Sequence, residues 1–180
     1  MRLLLFLFFL PSLAMAQPAM VPPQSVAGYI RGDLDGVSGK ESVVLIYDQE
    51  GVIDLYIFGE ASAQPLVYIP YFSASARNPP ILRLLPDKSF TMRITGTSGI
   101  GFSAFAKRMA YQDGAYVIVG ILNEFYPNTG GEALRCAYDL ERGMATITRP
   151  SGEVLEIITD IRPLPLDGNL PQSLTDNCVE

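Results

Sequence analysis

The sequence predicts an all-β protein, a small sandwich or open barrel of about nine or ten short antiparallel strands. Two observations carry this expectation. Short runs that are apolar or alternate apolar with polar recur along the chain, and Gly, Pro, Asn and Asp punctuate them at about the 8–12-residue spacing of strand-and-turn proteins. No long amphipathic stretch of helical period competes with them.

Residues 1–16, MRLLLFLFFLPSLAMA, read differently from the rest. Arg2 supplies a positive end, Leu3 to Leu10 an apolar run, and Ala14-Met15-Ala16 a small-x-small cleavage pattern. This is the signature of a secretory leader, and the run is shorter than the roughly 20 residues a bilayer span needs. The expectation is therefore a signal peptide over 1–16, export to the periplasm or secretion, and no membrane span once the leader is removed. Residues 17–28, rich in Pro and small residues, read as a flexible lead-in.

A single β domain is expected over 29–161. Tyr29 to Arg31 begin a strand, and 33–42 form a loop. The β-branched run VVLIY at 43–47 and the alternating run 52–58 flank a Gln-Glu-Gly turn and read as a hairpin. In the second run Asp54, Tyr56 and Phe58 oppose Ile53, Leu55 and Ile57. Leu66 to Ile69 and Ile81 to Leu85 are shorter strand candidates, with 73–80 between them as a loop. Phe90, Met92 and Ile94 alternate with Thr91, Arg93 and Thr95, the pattern of a half-buried strand. GTSGIG at 96–101 is a glycine-rich connection and lacks the Gly-Lys-Ser/Thr ending of a phosphate loop. Residues 102–111 suit a helix by propensity and a strand by the Asp113-Gly114 turn that follows, and the turn favours the strand. Tyr116 to Leu122 is apolar on both faces and should be central in its sheet. Residues 123–131 read as a loop, and three further strands follow at 134–138, 144–148 and 154–158. Residues 162–180 hold little periodicity and read as an irregular tail.

Composition removes several chemistries. There is no His among the 180 residues and only two Cys, so neither a Ser-His-Asp arrangement nor an imidazole or zinc-thiolate centre can be built. A net charge of −6 argues against electrostatic nucleic-acid binding. In an oxidising compartment Cys136 and Cys178 are expected to form a disulfide that tethers the tail. They lack the Cys-x-x-Cys spacing of a redox pair.

The segment 32–44, GDLDGVSGKESVV, places carboxylates at alternate positions in a Gly-rich loop. It reads either as an ordinary Asx-rich turn or as a weak Ca²⁺ site, with Asp33, Asp35 and Glu41 supplying carboxylates and Ser38 a further oxygen, since Ca²⁺ takes six to eight oxygens. Gly32, Asp33, Asp35, Gly36, Gly39, Lys40 and the strand opening Val43-Val44 resemble the calcium-loop-to-strand signature of FG-GAP or VCBS-type extracellular repeats. Only this one copy is present, and Val37 and Ser42 stand where such loops commonly carry acids. The resemblance implies a loop shape, and neither a fold nor an activity. More loosely, the chain resembles small bacterial exported proteins that join such a loop to a region like AYVIVGI…FYPNTGG…RCAYDLERGMATI, which implies a periplasmic setting.

No catalytic residue is assigned. Asp33, Asp35, Asp54 and Glu124 are the acids a carboxylate-dependent hydrolase would draw on. Aromatic residues around two prolines, Tyr68, Tyr71 and Phe72 with Arg77 nearby, and Phe125 with Tyr126, read either as packing at the rim of the fold or as a contact surface. The favoured expectation is a binding or accessory module of the cell envelope that contacts an envelope protein or a glycan. A structural domain with a weak calcium site is the third reading.

Overall fold

The computed structural model describes residues 26–37, 39–48, 51–73 and 78–168. The expected leader and most of the lead-in lie outside them, as do Ser38, Arg77 and Cys178; Tyr71 is described in its backbone alone.

The described residues form two antiparallel sheets, neither closed into a barrel. The small sheet holds β1 (Val26–Gly32), β2 (Glu41–Tyr47), β3 (Ile53–Phe58) and β4 (Pro65–Ser73) in sequence order. The large sheet runs from β5 (Ile81–Leu84) through β6 (Phe90–Ser98), β7 (Gly101–Gln112), β8 (Ala115–Pro127), β9 (Leu134–Asp139) and β10 (Met144–Thr148) to β11 (Val154–Ile158), again a meander. The two-residue β12 (Leu164–Pro165) pairs with β8 beyond the end of β9.

The expected strands are present, and the differences are of extent. Asn123 to Pro127, expected as a loop, extend β8, because β7 is long enough to pair with β8 from Gln112↔Ala115 to Gly101↔Pro127. The expected connection at 96–101 shrinks to a tight turn at 99–100. The strand reading of 102–111 holds, and Asp113 and Gly114, with φ of 50° and 87°, make the hairpin turn that decided it. Both residues occupy the left-handed region, which Gly and Asp tolerate best. A bulge at Val119, between Arg108↔Gly120 and Met109↔Ile118, leaves the Val119 carbonyl to accept from Leu140 N at 3.0 Å.

One core joins the sheets. Val43, Leu45, Ile53, Leu55 and Ile57 of the small sheet are completely buried, as are Phe90, Met92, Met109 and Ile118 of the large one. Their alternation with half-exposed neighbours is the period of the pleat. Where the sheets approach at β1 and β5, a Cβ on Gly32 would stand 2.6 Å from Leu84 Cδ2, the end of a side chain that would have to shift to admit it.

The expected 136–178 disulfide falls on a residue outside the described ones. No disulfide joins two described residues, since Cys178 lies outside them. Cys136 is buried in the core and is not a free thiol. What the described residues show holding the start of the tail is strand pairing: Leu164↔Ile118 and Pro165↔Val117, with Leu166 buried behind them.

Candidate functional site

The acidic loop between β1 and β2 is built by its own side chains. Asp33 Oδ1 accepts from Gly36 N at 2.8 Å and Asp35 Oδ1 from Val37 N at 2.8 Å, two local turns of the kind Asp makes with the backbone just ahead of it. Glu41, at the start of β2, is buried at 4% exposure and accepts from Leu34 N at 2.7 Å. One oxygen from each of Asp33, Asp35 and Glu41 lies within 4.8 Å of the others. Lys88, from the turn before β6, donates to Asp33 Oδ2 at 2.7 Å. That hydrogen bond is the main cause holding the Asp33 carboxyl below the usual carboxylate range. Three carboxylates against one ammonium leave two negative charges in the cluster, a small acidic site able to coordinate a cation weakly.

The outer face of the small sheet carries the second feature. The register aligns Tyr29, Val44, Tyr56 and Tyr68 in one row across all its strands. Tyr29 is 56% exposed and Tyr68 48%. The Tyr56 and Tyr68 rings stack at 4.7 Å, and Tyr56 and Phe58 at 6.1 Å. Exposed Leu66 extends the apolar surface. Polar groups sit at its margin: Tyr68 donates to Asp54 Oδ2 at 3.2 Å, and Arg31 pairs with Glu60 at 3.1 Å. Desolvation and the Asp54 hydrogen bond push the Tyr68 phenol up to about 12.

The third feature is a cleft of about 420 Å³ at one end of the fold, where Ile69, Tyr111, Tyr116 and Leu166 meet Asp35 and Asp167. The Tyr111 and Tyr116 rings meet edge to face at 5.0 Å. Tyr116 is 8% exposed, and its hydroxyl has no hydrogen-bond partner. Burial, then the charges of Glu41 and Asp35, push its phenol upward.

The structure thus brings Asp33, Asp35 and Glu41 together, while Ser38 lies outside the described residues. The expected aromatic contact residues do not meet as one surface. Tyr68 belongs to the row on the outer face of the small sheet. Phe72 is 5% exposed and part of the core, a correction that follows from the inward face of β4. Phe125 and Tyr126 lie at the far end of β8, with Tyr126 tilted against Phe102 at 5.8 Å. The residues missed were Tyr29, Tyr56 and Phe58. Their signal was the alternation along 52–58, which already set Tyr56 and Phe58 opposite the core face. The candidate hydrolase acids are separated by role: Glu124 is held by Arg93 at 2.9 Å and Arg135 at 3.4 Å, while Asp54 serves Tyr68.

Among the described residues no helix is long and apolar enough to cross a membrane. Comparisons with family models, curated proteins and solved structures find nothing that matches this chain. What is established is a small all-β domain of two antiparallel sheets.

Proposed function

We propose that this protein is an exported binding module of the cell envelope whose contact surface is the outer face of the small sheet, and that its partner is a glycan. The observation that carries the reading is the outer-face row Tyr29, Val44, Tyr56 and Tyr68, exposed at Tyr29 and Tyr68 and half-buried between them, with its stacked ring pair. Contiguous exposed apolar surface rimmed by polar groups is the form of a recognition patch. Tyr rings offer a rigid apolar face and a hydroxyl at little entropic cost, which suits a sugar ring with one apolar face and a periphery of hydroxyls. The leader-like residues 1–16 support export to the periplasm or secretion.

A second reading concerns the acidic loop: it takes Ca²⁺, which pins the β1–β2 connection. The buried Glu41 carboxylate close to Asp33 and Asp35 favours it.

Retention on insoluble envelope polysaccharides, peptidoglycan included, tests the binding reading. The protein should be retained, and Tyr56→Ala with Tyr68→Ala should reduce retention about tenfold or more. No retention on any of them, or retention indifferent to both substitutions, would overturn it.

A further inference from the structure

The end cleft adjoins the aromatic face at Leu66, and its chemistry is different. We propose that it is a binding site for a small organic cation, a primary ammonium carried on an apolar alkyl or aryl stem. Its volume of about 420 Å³ falls within the range of small-molecule sites, about 300–1,000 Å³.

Charge selects the class of ligand. Asp35 and Asp167 line the cleft, and among the described residues no Lys or Arg does. Asp35 in turn sits within 4.8 Å of carboxylate oxygens from Asp33 and Glu41. An anion entering the cleft meets only like charge, and a neutral ligand leaves the carboxylates uncompensated. The Tyr111 and Tyr116 rings, 5.0 Å apart, attract a cation through their faces. Ile69 and Leu166 supply an apolar wall for a stem.

The Tyr116 hydroxyl narrows the class further. It is buried and unpartnered, and such a group costs stability until a ligand supplies its partner. A primary ammonium has N–H donors to give to the Tyr116 oxygen and to a carboxylate, and hydrogen bonds from a charged donor are the stronger kind. A quaternary ammonium has none, so the site discriminates against it.

The test is an NMR titration of ¹⁵N-labelled protein with hexylammonium, hexan-1-ol and hexyltrimethylammonium. EDTA is present throughout, so that the outcome does not depend on Ca²⁺ at the acidic loop. Hexylammonium should produce saturable shifts at the amides of Asp35, Val67, Tyr116 and Leu166, with the alcohol and the quaternary amine each at least about tenfold weaker. Tyr116→Phe removes a hydroxyl with no partner in the fold, and Asp35→Asn retains the oxygen that accepts from Val37 N, so both variants should fold. Each should weaken hexylammonium about threefold or more. The proposal is overturned by the absence of saturable shifts up to about 20 mM, by an alcohol or quaternary amine that binds as tightly, or by two folded variants that bind unchanged.

Discussion

The Lys107 ammonium nitrogen lies 3.2 Å from the Phe72 carbonyl oxygen and 4.3 Å from the centre of the Phe72 ring, so a charged side chain on the inner face of the large sheet is held by the edge strand of the small one. Burial pulls its pKa from 10.5 down to about 8. A folded-state pKa below the unfolded one means that the unfolded chain binds the extra proton between them. The cost is therefore full below pH 8 and is relieved as pH rises.

Stability should accordingly increase from pH 8 to pH 10, by an amount on the order of 2 kcal/mol for this group alone. Above pH 10 the raised phenol of Tyr68 reverses the trend, since unfolded tyrosines ionise first. Lys107→Met fills the same space without the charge, and its stability should be higher than wild type at pH 7 and lack the rise. Urea denaturation across pH 7 to 10 measures both. A wild-type profile flat over that range contradicts the account of Lys107.

Calcium should raise the melting temperature. A site with a dissociation constant of about 1 mM gains roughly 1.4 kcal/mol at about 10 mM ligand, a few degrees for a domain of this size. Asp35→Asn should remove the rise, while NaCl at matched ionic strength should not reproduce it. Scanning calorimetry with these controls decides the point. An unchanged melting temperature at about 10 mM Ca²⁺ contradicts the cation reading.

Glu124 is an anchor of the outer face of the large sheet. Its side chain is 9% exposed and lies between Arg93 and Arg135. Glu124→Ala leaves two arginines facing each other and should cost about 1–3 kcal/mol by denaturant titration. Because both arginines are substantially exposed, the loss should fall short of that for a fully buried pair.

Gly101 opens β7 against the end of β8. A Cβ there would run into the Tyr126 carbonyl and stand 2.8 Å from the Phe125 ring. Backbone cannot yield as a flexible side chain can, so Gly101→Ala should cost about 1–3 kcal/mol. Two residues earlier, a Cβ on Gly99 meets nothing within 4 Å. Gly99→Ala should therefore fall within about 0.5 kcal/mol of wild type, measured in the same titration.

Most of the fold was legible because pleated segments write their burial into period-two patterns. Ile53, Leu55 and Ile57 announced the inner face, and Asp113-Gly114 announced a hairpin. The length of β8 was not legible. Asn123 to Pro127 have loop composition and are strand only because β7 runs alongside them, a pairing no local pattern records. The acidic loop could be read because its residues are near in sequence. The aromatic row could not, since Tyr29, Tyr56 and Tyr68 belong to three strands and meet only through register. Tyr116 read as a core strand residue, and its neighbourhood with Asp35 is wholly tertiary.

The most direct test of the binding account is NMR shift mapping with soluble peptidoglycan fragments. The account predicts saturable shifts grouped at Tyr29, Val44, Tyr56 and Tyr68, lost in the Tyr56→Ala, Tyr68→Ala double variant. Shifts confined to the large sheet, or the same shifts in that variant, would contradict it.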